Sequence, residues 1–231
     1  FISSPFSIKA AKLLKKINVK FWKIASGEVH NNELLNFCFK DKKPMLISTG
    51  LINDLELSNL YKKLKQNKKD FALFHCVSRY PTEPEYWNLN NISQLKQKFK
   101  CKIGFSDHSG NIISSLSAAT IGVDFIEIHV TFDKNSFGPD TKSSIDMKQL
   151  KDLVNGVKQI DLSKKYNFKD NYKNKNKVIF SRSLALKKPM KKGSLIKLSD
   201  LTLKKPGTGF KYNQIKNIVG KKLKINKSHL Y

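Results

Sequence analysis

Arginine is nearly missing from this chain: among its 44 basic residues only Arg79 and Arg182 are arginine. That scarcity weakens the reading its formal net charge of +26 would otherwise invite. A strongly basic protein usually points to nucleic acid, gripped by guanidinium groups and by aromatics that stack on bases. Here lysine and asparagine rise together along the whole length ("KNKNK", "NNELLN", "KKLKINK"), and the aromatics sit inside apolar, strand-like runs. Nucleic acid is therefore not the expected partner. Long apolar runs are missing too. None approaches the ~18 residues a membrane span requires, and the stretch from Phe1 does not read as a secretory signal. Cysteine is scarce as well. Cys38, Cys76 and Cys101 are odd in number, widely separated and without metal-ligand spacing, so a reducing, cytoplasmic setting is the default expectation. No G-x-G-x-x-G or Walker sequence occurs, which speaks against a doubly wound nucleotide-binding sheet.

What is present is a repeat of short apolar runs, each ending in polar groups. "FWKIASGE" delivers Lys23, Ser26 and Glu28, and "PMLISTG" delivers Ser48 and Thr49. "FALFHCVSRYPTEPE" reaches Ser78, "CKIGFSDHSG" reaches Ser106 and His108, and "DFIEIHVTFDK" carries Glu127, His129 and Thr131. "FISSPF" at the start resembles the tail of another such run, and the Gly of "CKIGF" suggests a strand closing there. Between the runs lie amphipathic stretches such as "SIKAAKLLKKIN" and "LELSNLYKKLKQN", with apolar residues at helical spacing. Strand–helix repetition at about 25 residues implies a parallel sheet with helices outside it, and chemistry collected at many strand ends is the pattern of a (β/α)8 TIM barrel. Counting six strand ends, the expectation is an α/β barrel lacking its first two strands, truncated before Phe1, over residues 1–163. The helix "SIDMKQLKDLVNGVKQI" would close it. Residues 164–177 read as a charged linker, and 178–231, with short runs broken by Pro189, Gly193, Pro206, Gly207 and Gly209, as a second, small β-rich domain.

The stretch "GFSDHSG" sets a hydroxyl, a carboxylate and an imidazole side by side, but alternation along a strand puts Ser106 and His108 on one face and Asp107 on the other. A Ser–His–Asp relay needs all three to converge, so that reading fails. In a barrel, Lys23, Ser26, Ser48, Ser78, Ser106, His108 and His129 would project near one mouth. One ammonium and several small hydroxyls suit a phosphate or carboxylate. His108 and His129, from neighbouring strands, suit a metal pair completed by water, substrate oxygens or a further carboxylate. Each has a structural alternative: a strand-end serine caps the next helix, and a single histidine is often a satisfied core group. Lys23 inside an apolar strand is harder to explain that way, because buried lysine needs a partner. His75 lies on the face opposite Ser78, outside the expected site.

Taken in order, "KIASGE", "PMLISTG", "HCVSRYPT", "GFSDHSG", "IEIHVT" and "FGPD" resemble the sialic acid synthases, the nonulosonic acid synthases that condense phosphoenolpyruvate with an N-acetylated hexosamine. The resemblance runs over nearly the whole chain, and "RSLALKKPMKKGSLIKLSDLTLKKPGTG" resembles that family's C-terminal antifreeze-like (SAF) domain. It implies attack of the enol carbon on the open-chain aldehyde of the sugar, addition of water at C2 and loss of phosphate. It implies a divalent metal ion (Mn2+, Mg2+ or Co2+) on His108 and His129, and phosphoenolpyruvate contacts at Ser4, Lys23, Ser26, Ser48, Ser78 and Ser106. Glu28 would handle a proton or direct water, Asp140 would bind the sugar's hydroxyls, and Asp107 would brace its loop. Lys205 stands where an arginine of the partner's small domain often reaches the N-acetyl group, in a homodimer whose small domain caps the partner's barrel. The acceptor would be N-acetylmannosamine or a diacetylated 6-deoxy hexose, and the absence of a lysine before His129 leans towards legionaminate-type products. The family's first two strands carry a glutamate, a lysine and an asparagine for the substrates that are absent here. The rival readings are a basic nucleic-acid-binding protein and an inactive sugar-binding relative.

Overall fold

A computed structural model of the chain describes residues 1–165 and 172–227. It divides into two units, Phe1–Lys165 and Tyr166–Tyr231. The first holds six strands, β1 (Trp22–Ile24), β2 (Met45–Ser48), β3 (Phe71–Cys76), β4 (Lys102–Asp107), β5 (Phe125–Val130) and β6 (Ser144–Ile145), all parallel and paired in chain order. Six helices accompany them: α1 (Ile8–Lys16), α2 (Asn32–Phe39), α3 (Asp54–Gln66), α4 (Asn90–Lys98), α5 (Ile113–Ile121) and α6 (Met147–Lys165). The expected strand–helix alternation is thus present, as a curled sheet that forms part of a (β/α)8 barrel.

Strands β1 to β4 are buried almost throughout and mostly apolar on both faces, whereas β5 is only partly buried. Outward-facing Trp22, Ile24, Ile47, Leu73, Ile103 and Phe105 form the main core with helix residues such as Leu14, Leu34, Leu60, Leu64, Ile92 and Leu95. Inward-facing Leu46, Ala72 and Phe74, with Phe21 and Phe125, make a smaller apolar floor inside the curl. Helix starts are written locally. Ser7 accepts from the Ala10 amide at 3.1 Å, and Asn53 with Glu56 makes a reciprocal capping box at α3. Gly122 ends α5 at φ +96°, a conformation that favours glycine.

Four expectations need correction. "FISSP" is not a strand: among the described residues the sheet begins at β1, and Ile2, Ser3 and Ser4 line the interior cavity instead. The sixth strand is Ser144–Ile145, assigned above to the start of the closing helix. Two residues are too few for alternation to show, yet they pair in register with His129 and Val130. Asp146 then opens α6, its carboxylate accepting from the Gln149 amide at 2.8 Å. β4 does not close at Gly104 but continues to Asp107. Gly104 faces inward between Phe74 and Phe125, and a Cβ there would lie 2.6 Å from the Phe74 ring. Finally, the expected linker is partly helical. α6 runs through Lys165 and α7 takes Tyr172–Phe180, while residues 166–171 lie outside the described residues.

The second unit pairs β7 (Ser183–Leu186) antiparallel with β8 (Leu201–Lys204), with isolated bridges Met190–Lys227 and Leu195–Lys222. Among the described residues, Ala185, Leu186 and Ile196 are its buried apolar side chains. Among the described residues no helix is long and apolar enough to cross a membrane.

Candidate active site

The inward face of the curled sheet turns polar above its aromatic floor. Phe74 and Phe125 stack at 5.9 Å, and the Lys23 ammonium sits 5.3 Å from the Phe74 ring centroid. Trp22 and Ile24 face outward into the core, so alternation sends Lys23 inward, where it is 7% exposed. Its Nζ donates to Ser48 Oγ at 2.6 Å and lies 3.2 Å from Glu127 Oε2. That second contact measures the curl. On a flat sheet, strands ~4.8 Å apart would separate β1 from β5 by about 19 Å, with side chains pointing in parallel. Only a barrel-like curl lets Lys23 and Glu127 meet. Ser4, Lys23 and Glu127 line one interior cavity of about 530 Å³.

From Glu127 the polar surface continues to the histidines. Ser106 pairs in register with Glu127, and its hydroxyl lies 3.3 Å from His108 Nε2. His108 Nδ1 is 2.8 Å from the Val77 carbonyl, which can only accept, so Nδ1 carries the proton and Nε2 presents a lone pair. Burial holds the His108 pKa below its ordinary value, with His129 adding to the depression, and the imidazole is neutral near pH 7. His129 follows Glu127 on the same face of β5, and the two imidazole centroids stand 5.3 Å apart. Asp140 Oδ2 lies 4.0 Å from His129 Nδ1. Asp107 points the other way, fully buried. It accepts from the hydroxyls of Ser114 and Ser115 and from the Ser109 amide at 2.9 Å, which fixes the turn after His108.

Other expected residues are placed less directly. The Ser26 hydroxyl accepts from the Gly50 amide at 3.0 Å and sits 3.3 Å from Cys76 Sγ, at the upper end of β3. Ser78 is exposed just past β3, beside Gly50, and makes no side-chain hydrogen bond to the cluster. Glu28 is half-buried and accepts from Asn31 Nδ2 at 2.9 Å; Asn31 itself caps α2. Lys205 belongs to the second unit, with its ammonium 5.4 Å from the Phe180 ring. His75 faces outward as expected, bonded to the Trp87 carbonyl at 2.9 Å and to Asn91 at 3.1 Å.

Two residues without a role in the sequence-based set stand in the middle of the site. Glu127 is among the strand-end groups named from the sequence, and alternation places it on the face of His129, but no role is assigned to it there. Alternation says nothing of Tyr80. It sits in the loop after β3, stacked on His108 at 4.2 Å and edge-on to His129 at 5.8 Å, with its hydroxyl 3.3 Å from His108 Nε2. Backbone bonds set that loop, notably from the Thr82 amide to the His108 carbonyl at 3.0 Å. Tyr80 is half-exposed, and partial desolvation, reinforced by nearby Cys76, Asp140 and Glu127, pushes its phenol up, so it stays protonated.

Two adjacent imidazoles, one with an unprotonated nitrogen turned inward, suit a divalent cation as donors. Among the described residues no group of three His, Cys, Asp or Glu side chains is arranged to hold one. Such an ion would need water or substrate oxygens to complete its shell.

The sequence pattern of the NeuB family matches residues 1–169. The chain is 35% identical to N,N'-diacetyllegionaminic acid synthase of Campylobacter jejuni, over 96% of this chain and 68% of that protein. It is 33% identical to a pseudaminic acid synthase of the same organism, over 95% of this chain and 65% of the other. The crystal structure of N-acetylneuraminic acid (sialic acid) synthetase from Leptospira borgpetersenii, in complex with citrate, superposes with a TM-score of 0.70 at 31% identity, covering 76% of this chain and 62% of that one. The chain therefore spans about two thirds of the length of these relatives.

Proposed function

The chain belongs to the NeuB family, and from that premise we propose that it is an enzyme of the sialic acid synthase type. It joins phosphoenolpyruvate to an N-acetylated hexosamine, N-acetylmannosamine or a diacetylated 6-deoxy hexose, and releases phosphate. The observation that carries this reading is one continuous inward surface. The Lys23 ammonium, bonded to Ser48, reaches Glu127, whose register partner Ser106 touches His108 beside His129.

In this reading Lys23 and Ser48 bind the phosphate, with Ser4, Ser26, Ser78 and Ser106 supplying further hydroxyls around phosphoenolpyruvate. His108 and His129 would hold a divalent cation, Mn2+, Mg2+ or Co2+, which when bound supplies Lewis-acid polarisation of the acceptor's aldehyde oxygen. The enol carbon forms the new bond to the aldehyde carbon, water adds at C2, and the C2–O bond to phosphate breaks. Of the two candidate carboxylates, Glu127 touches the ammonium that meets the phosphate, whereas Glu28 is tied to Asn31. Glu127 is the better placed to move a proton at the reacting carbons, and Glu28 to direct water from the rim. Asp140, beside His129, receives the sugar's hydroxyls.

The small unit is an SAF-type domain in the same reading, capping a partner's barrel in a cytoplasmic homodimer and presenting Lys205 to the acceptor. Support comes from the match running over 96% of the chain, and from the exposed Leu198, Phe210 and Tyr212 that a partner would cover. The test is phosphate release from phosphoenolpyruvate with each candidate hexosamine and Mn2+. Release that requires both acceptor and metal is expected. Absence of release with every candidate, or release indifferent to the acceptor, would overturn the reading.

A further inference from the structure

Tyr80 makes more contacts with the two imidazoles than any residue the proposed reaction uses. Its ring lies 4.2 Å from that of His108 at an interplanar angle of 26°, and 5.8 Å from that of His129 at 77°. A single side chain therefore fixes the plane of one imidazole by stacking and braces the other by its edge. Its hydroxyl does something different. Nδ1 of His108 donates to the Val77 carbonyl, so Nε2 has one lone pair, and the hydroxyls of Tyr80 and Ser106 both lie 3.3 Å from it. Either hydroxyl, one at a time, can donate to that electron pair, which is the one a metal ion would take.

We propose that Tyr80 is a positioning residue with two opposed actions on divalent-cation binding: its ring holds the imidazole pair in place, and its hydroxyl caps His108 Nε2 and competes with the ion. This rests on the assignment of His108 and His129 as the cation's ligands. The two actions separate in two variants. Tyr80→Phe keeps the ring and removes the phenol donor; the Ser106 hydroxyl can still reach Nε2, so cation binding tightens by at most roughly fivefold, the value of a single neutral hydrogen bond. Tyr80→Ala removes both, and loss of the stacking weakens binding about threefold or more relative to Tyr80→Phe.

The experiment titrates Mn2+ into the full chain, following the free-ion signal by electron paramagnetic resonance, for the wild type and both variants. NMR of His108 runs in parallel, because the stacked phenol ring should shift its ring protons upfield. Tighter binding by Tyr80→Phe, weaker binding by Tyr80→Ala than by Tyr80→Phe, and an upfield shift kept in the first and lost in the second are expected. If the wild type binds Mn2+ but Tyr80→Phe binds it equally or more weakly, the cap is wrong. If Tyr80→Ala binds as well as Tyr80→Phe, or the His108 shift is the same in all three, the ring's role is wrong. No Mn2+ binding to the wild type would overturn the histidine assignment itself, and this inference with it.

Discussion

Replacing Lys23 by Met isolates the charge on which anion binding depends. Methionine keeps an unbranched, apolar side chain and removes the ammonium, which is hydrogen-bonded to Ser48 at 2.6 Å, paired with Glu127 at 3.2 Å and 5.3 Å from the Phe74 ring centroid. In the fold, two losses are set against one gain. Ser48, only 5% exposed, loses its donor, which costs about 1 kcal/mol. Glu127 loses its counter-ion, but its side chain is 45% exposed, so water replaces the partner and the exposed-pair value of about 0–1 kcal/mol applies. Desolvation of a lysine is avoided in the variant, so the net change in stability is within about 2 kcal/mol. Binding has no such offset. A hydrogen bond to a charged group contributes about 2–3 kcal/mol, and each 1.4 kcal/mol is tenfold, so phosphoenolpyruvate should bind about 30- to 150-fold more weakly. Isothermal titration with phosphoenolpyruvate and with inorganic phosphate reads the loss, and thermal melting reads the fold. Lys12→Met, an exposed lysine of α1, controls for the general attraction of so basic a chain and should change little. Affinity within threefold of wild type in a folded Lys23→Met protein would refute the assignment of the anion site.

Three further outcomes follow from the geometry. Glu127→Gln frees the ammonium from its internal carboxylate, so inorganic phosphate should bind several-fold more tightly while phosphate release in the full reaction falls at least tenfold; equal affinity and rate in the variant would remove Glu127 from the site. Gly104→Ala drives a methyl against the Phe74 ring and should destabilise the chain by about 1–3 kcal/mol in urea unfolding; an unchanged midpoint would mean the aromatic floor yields. His75 is buried with both ring nitrogens bonded, and burial lowers its pKa, as it does for His108. An unfolded histidine takes its proton near pH 6.5 and the folded one only below that, so stability is full above about pH 6.5 and is lost as pH falls towards the folded values. The melting temperature should therefore drop between pH 7.5 and 5.5, and drop less in His75→Gln; an identical drop in the variant would exclude His75 as a source.

The parts of this molecule that were legible in its sequence are those governed by alternation. Between two large apolar neighbours Lys23 could only face inward, and the same rule separated Asp107 from Ser106 and His108 and turned His75 away from the interior. Features set by long-range closure were not legible. The Lys23–Glu127 pair depends on how tightly five strands curl, which no local period encodes. β6 is two residues long and merged with the helix behind it, and "FISSP" had strand-like residues but no neighbour to pair with. Gly104 read as a strand end because glycine usually interrupts, whereas here it makes room for two stacked rings. Tyr80 lies in a loop whose path is fixed by backbone hydrogen bonds to the turn after β4, so its place over the histidines left no mark in the spacing of residues.

The central claim is that one mouth holds a cation on two histidines and a phosphoryl group on an ammonium and a hydroxyl at the same time. Crystals grown with Mn2+ and phosphoenolpyruvate, with data collected at the manganese edge, test it directly. The account predicts an anomalous peak between His108 and His129, with phosphate density against Lys23 and Ser48. A peak elsewhere, or a phosphoryl group bound away from Lys23, would contradict it.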